Sequence, residues 1–119
     1  MLLARMIGGD TVKLYELTVH EMAQMLGNKE VSSVELTQSL LDRIEQVESK
    51  IGSYITVCKD EALQRAKQVQ EKIDKGEIKS PLAGIPMSIK DNMCTEGVLT
   101  SCASKMLHNF KPPYNATVS

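Results

Sequence analysis

Residues 82–92 read Leu-Ala-Gly-Ile-Pro-Met-Ser-Ile-Lys-Asp-Asn, and this run sets one lysine, Lys90, where a short strand is predicted to give way to a loop. Ile85, Met87 and Ile89 alternate with Pro86, Ser88 and Lys90, so the expected strand has one apolar side and one side ending in an ammonium group. Active sites gather where regular elements hand over to loops. A lysine held there and stripped of water gives up its proton more readily and becomes available as a base. Ser88 lies on the same side, but residues two apart on a strand have side chains ~7 Å apart, too far for direct proton transfer. Asp91 could orient Lys90 or hydrogen-bond the loop that follows; strand alternation turns it away from Lys90, so the second is its favoured role. Ser101, Ser104 and Lys105 do not have the spacing of a Ser-x-x-Lys helical dyad. Ser104 is expected to bond to backbone within its own loop.

Other reactive groups are sparse. Cys58, Cys94 and Cys102 form no Cys-x-x-Cys pair and leave an odd count, and with only His20 and His108 beside them a zinc site is not expected. Reduced thiols of a cytosolic protein are the favoured reading, with Cys94 and Cys102 a buried or partly buried pair. His20 falls in the first turn of a helix and reads as solvated, while His108 falls near a helix end, where positive charge is welcome. Fourteen Lys plus Arg against fifteen Asp plus Glu give a net charge of −1, with no basic block interleaved with aromatics. Direct nucleic-acid binding by these residues is therefore not expected. Met1–Gly9 is apolar with one arginine, too short for a signal peptide or a membrane span, and reads at most as the stub of an organellar presequence.

Helices must carry most of the positioning. Thr18-Val-His-Glu21 and Ser32-Ser-Val-Glu35 both match the capping-box pattern. The first predicts a helix over about 19–27, with Met22 and Met25 on its core stripe, stopped by a left-handed Gly27-Asn28. The second predicts a helix over about 33–51, with Leu36, Leu40, Ile44, Val47 and Ile51 along one face and Gly52 as its stop. Tyr54–Cys58 is β-branched and aromatic enough for a strand. Asp60 then caps a helix over about 60–75, in which Ala62, Ala66, Val69 and Ile73 recur at helical spacing. A second strand over about 86–90 follows, then a short helix over 105–109 that Pro112-Pro113 cannot continue. Asn115 or Thr117 is expected to cap a further helix. With four aromatic residues and seven methionines in 119 residues, the chain reads as the opening part of a larger α/β domain rather than a core that closes alone.

These segments resemble the amidase signature family from about Leu14 to Val118. The most specific stretch is Gly84-Ile-Pro-Met-Ser-Ile-Lys-Asp-Asn-Met-Cys-Thr95. Thr100-Ser-Cys-Ala-Ser-Lys-Met-Leu107 and Pro112-Pro-Tyr-Asn-Ala-Thr-Val118 point to its tRNA-dependent amidotransferase branch, although Ser101 stands where that branch more often has threonine. The resemblance implies an α/β fold of helices around a mixed sheet, of which residues 1–119 are the N-terminal portion. It also implies amide hydrolysis by a Ser–cis-Ser–Lys triad, with Lys90 as the terminal base. Both serines and the oxyanion hole belong to a downstream Gly/Ser-rich run of which residues 1–119 hold no copy, so this chain alone is expected to be inactive. On its own terms Lys90 reads as a solvated lysine; the resemblance makes it a base in the full-length parent.

The branch implies further partners. The parent hydrolyses glutamine and passes ammonia to a B subunit, which uses ATP and magnesium to activate the misacylated Glu or Asp on tRNA. A small C subunit clamps the pair. The chain itself is expected to bind no cofactor, metal or membrane, and to work in the cytoplasm or an organelle such as the mitochondrion. A general amidase of the same family, or a truncated docking module without catalysis, are the alternatives.

Overall fold

Both capping boxes form. In the computed structural model, which describes residues 4–7 and 10–119 and the side chains from Lys13 onward, the Thr18 hydroxyl accepts from the Glu21 N–H at 3.3 Å. The Glu21 carboxylate in turn accepts from the Thr18 N–H at 2.7 Å. Ser32 and Glu35 repeat the exchange at 3.2 and 2.8 Å. These reciprocal bonds satisfy amides that a helix start otherwise leaves open. They open α1 (Val19–Gly27) and α2 (Ser33–Ile51) at the expected residues.

α3 (Lys59–Asp74) begins one residue ahead of expectation, which puts Asp60 in its first turn rather than at its cap. Its end is a two-bond closure: the Gly76 N–H donates to the Ile73 carbonyl and the Glu77 N–H to the Lys72 carbonyl, each at 2.9 Å, with Gly76 left-handed at φ 71°. α1 ends the same way with a different residue. The left-handed position falls on Lys29 (φ 59°), while Asn28 stays right-handed, so the predicted Gly27-Asn28 stop lies one to two residues early. The Lys29 and Glu30 amides donate to the Leu26 and Met25 carbonyls, and those bonds hold a non-glycine residue in that conformation.

Contacts divide the chain into two units, Met1–Ile51 with Lys59–Pro86, and Gly52–Cys58 with Met87–Ser119. The first has an apolar core of Leu14, Met22, Met25, Leu26, Val31 and Leu36, with Leu17 and Ile85 against it. Leu14 enters from a 3-10 turn over Leu14–Glu16, and α2 packs on both that turn and α3. Tyr15 lies under the Arg43 guanidinium at 5.1 Å, which ties the turn to α2. The α2 stripe is buried less evenly than its spacing predicts. Leu36 and Leu41 are buried, Leu40, Ile44 and Val47 are half-buried, and Ile51 is exposed. In α3, Ala66 is buried and Ala62, Val69 and Ile73 are half-buried, as their spacing predicts.

The expected mixed sheet is not formed among the described residues. The strands among the described residues are β1 (Ala4–Ile7) and β2 (Asp10–Lys13), an antiparallel pair with Ala4 opposite Lys13 and Ile7 opposite Asp10. They went unpredicted, although Gly8-Gly9 between two short runs is a hairpin signal. Residues 1–3 and 8–9 of the stretch read as a presequence stub lie outside the described residues. The predicted strands over 54–58 and 86–90 have no ladder partner, and both are irregular. Alternation is a property of the segment, but a strand also needs a second chain in register beside it. No helix among the described residues is long and apolar enough to cross a membrane.

Candidate active site

Gly84 starts the run that leads to Lys90. Its φ of 83° is a conformation that favours glycine, and a Cβ there would lie 3.1 Å from Ile73 Cδ1 and 3.2 Å from Ser33 Cβ. The turn is thus pressed against the first turn of α2 and the last turn of α3. Ser33 is held in place by its N–H donating to the Gln70 side-chain oxygen at 2.8 Å. Gly84→Ala is expected to destabilise the protein by about 1–3 kcal/mol, because strain and crowding act together. Urea unfolding of the two forms side by side checks this, and an unchanged midpoint would show that the turn yields.

In the second unit, Met87, Ser88, Ile89 and Lys90 are all exposed. Of the apolar side expected of this segment, Ile85 is half-buried against the core of the first unit, while Met87, 83% exposed, and Ile89 are uncovered. Ser88 and Tyr54 meet through their hydroxyls at 2.8 Å, so the two segments predicted as strands touch through side chains rather than through a ladder. Thirty-four residues separate them, and nothing local in the sequence signals the pairing. The Lys90 carbonyl accepts from the Met93 N–H at 2.9 Å, which turns the chain immediately after the lysine.

Asp91 does what its favoured reading expects. Its carboxylate accepts from the Ser101 hydroxyl at 2.6 Å, the Ser101 N–H at 3.0 Å and the Ala103 N–H at 3.2 Å. Its carbonyl accepts from the Cys102 N–H at 3.2 Å. Cys102 and Ala103 are both left-handed, at φ 50° and 54°, which bends the loop so that successive amides converge on one residue. The Ser101 hydrogen bonds, side chain first, hold the Asp91 carboxyl below its ordinary value of 3.8. Because the folded value lies below the unfolded one, the stabilisation is complete above about pH 4 and is lost as pH falls through the folded value. Removing the Asp91 carboxylate is therefore expected to flatten the acid side of a plot of unfolding midpoint against pH. An equally steep acid loss without it would exclude the clasp as the cause.

The rest of this unit is tied by polar bonds, and its buried residues are Thr100, Ser101 and Pro112. Asn115 does not cap a helix: its side-chain oxygen accepts from the Glu96 N–H at 2.8 Å, while the Ala116 N–H reaches the Cys94 carbonyl at 2.8 Å. Thr117 lies in a turn. The helix expected over 105–109 is a single 3-10 turn, Lys105–Leu107, capped by Ser104 accepting from the Met106 N–H. Ser104 thus bonds to backbone as expected. Cys94 is half-buried and Cys102 exposed, so the expected buried pair is not made. A hydrogen bond with the Cys94 side chain instead pushes the Tyr114 hydroxyl above its ordinary value. His20 and His108 are exposed, the latter with Nδ1 2.9 Å from the Lys105 carbonyl. Among the described residues, no three His, Cys, Asp or Glu side chains are grouped to hold a metal ion.

The model of the amidase family matches residues 35–119, a span that takes in α2 from Glu35 onward, α3, Lys90 and the whole Asp91 clasp. The chain belongs to the amidase family. It is 53% identical over 104 residues to the A subunit of the glutamyl-tRNA(Gln) amidotransferase of Desulforamulus reducens, covering 87% of this chain and 21% of that protein. It is 55% identical over 107 residues to the protein of that name from Thermoanaerobacter pseudethanolicus, covering 90% and 22%. This amidase chain thus spans about a fifth of the length of the curated relatives it matches. A solved structure, from work on an unexpected vestigial protein complex and the evolutionary origins of an s-triazine catabolic enzyme, aligns with a TM-score of 0.74. It is 24% identical, over 84% of this chain and 22% of that one, and so bears on the fold alone.

Proposed function

We propose that this chain is part of the A subunit of a tRNA-dependent amidotransferase, and that the whole subunit hydrolyses glutamine to release ammonia. The observation that carries the reading is the likeness, above 50% identity along about nine-tenths of the chain, to relatives bearing that subunit's name. Lys90 is the terminal base. A serine hydroxyl is a poor nucleophile at neutral pH and needs a proton acceptor within hydrogen-bond reach. Lysine serves once burial disfavours its charged form, whereas arginine stays protonated. Lys90 takes a proton from a bridging serine, which takes one from the nucleophile, and both serines come from residues outside this chain.

In the same reading these 119 residues have no amidase activity alone, since they carry the base without its nucleophile. The chain binds glutamine, and no cofactor, within the whole subunit. ATP and Mg²⁺ act at a B subunit that also makes most of the tRNA contact, a C subunit completes a heterotrimer, and the work is done in the cytoplasm. Ammonia release from glutamine by the full-length protein, measured with and without its partners, tests the proposal. Turnover of simple carboxamides with no glutamine hydrolysis in either setting would replace it with a general amidase.

A further inference from the structure

We propose that Asp91 is a positioning residue for Lys90, fixing the root of the catalytic lysine by clasping the Ser101–Ala103 loop. This rests on Lys90 being the base. Consecutive Cα atoms are ~3.8 Å apart across a rigid peptide, so an immobilised Asp91 fixes where the Lys90 side chain begins. The immobilisation is thorough: three donors reach the Asp91 carboxylate, and a fourth reaches its carbonyl. The Met93 N–H holds the Lys90 carbonyl on the other side of the same peptide.

Two features go beyond what an ordinary loop needs. Two adjacent non-glycine residues, Cys102 and Ala103, sit in the left-handed region, a strained choice for side chains with a Cβ. Ser101 is buried, and its hydroxyl both donates to Asp91 and accepts from the Ala103 N–H at 3.2 Å. The strained loop therefore presents its donors to the one residue next to the lysine. A lysine has a long, flexible stem, so firm placement of its root is what narrows the reach of its nitrogen. Placement matters because a base about 1 Å out of position loses ~100-fold in rate.

The test uses the full-length protein, measuring kcat and KM for glutamine per folded molecule, with the folded fraction read by circular dichroism. Asp91→Asn turns one acceptor into a donor facing donors, and is expected to lower kcat by ~10–100-fold with KM within about twofold of wild type. Ser101→Ala removes one donor and is expected to lower kcat several-fold, while Ser101→Thr, which keeps the hydroxyl, restores it. A structural role alone would reduce folded protein and leave kcat per folded molecule intact, and that result overturns the inference. Where Asp91→Asn fails to fold, the Ser101→Ala and Ser101→Thr pair decides on the same criterion. Lys90→Ala separates the two ideas. If it retains activity, the base assignment fails; if it is dead while Asp91→Asn and Ser101→Ala turn over normally, only the positioning role fails.

Discussion

Lys90→Ala in the full-length protein is expected to lower glutamine hydrolysis by about a thousandfold or more, the scale of losing a general base from a coupled relay. In the proposed relay the truncation removes the terminal proton acceptor, and it leaves the backbone alone. Lys90 is exposed in this chain, so its loss opens no cavity and breaks no packing among the described residues. Assembly with partner subunits should therefore survive, and co-elution with them checks that arm. Ammonia release checks the other. Turnover near that of wild type would remove Lys90 from the mechanism, whatever the resemblance of its surroundings.

Leu36→Ala is expected to lower stability by about 2–5 kcal/mol, the range for emptying a well-packed leucine site. Leu36 is only 1% exposed, and it joins the first turn of α2 to Leu14, Met22, Met25, Leu26 and Val31. Three elements thus lose contacts at once, and the bond from the Ser33 N–H to Gln70 of α3 opposes a shift of α2 into the gap. Leu82→Ala is the control: at 63% exposed it should change the unfolding midpoint little, within about 0.5 kcal/mol. Equal effects at the two leucines would mean that the core does not carry the stability of this unit.

Helices were legible because their signals are local. A hydroxyl three places before an acid satisfies open amides within one turn, so α1 and α2 begin where Thr18 and Ser32 place them. The Met22 and Met25 stripe and the Gly52 stop are read from the same few residues around them. Side chains that serve their own turn, such as Ser104, were legible for the same reason. The left-handed Lys29 was not, since lysine carries no preference for that conformation and the bonds to Met25 and Leu26 select it.

The segments over 54–58 and 86–90 show the limit. Both have strand-like composition, yet alternation says nothing about what lies alongside, and neither has a ladder here. The same holds for Asn115, whose type suits a helix cap and whose side chain instead secures the Glu96 amide nineteen residues away. For Asp91, its identity and strand register pointed to the following loop, but not to Ser101, Cys102 and Ala103 as the donors.

By itself, then, the sequence determined where the first two helices start, which lysine ends the Gly-Ile-Pro run, and the family that run resembles. Only the tertiary structure decided that the α2 stripe is buried at one end and bare at the other, and which loop grips Asp91. The reason is range: a cap or a helical stop is completed by atoms three to five residues away. Burial, strand pairing and a clasp ten residues across depend on what the rest of the fold brings alongside.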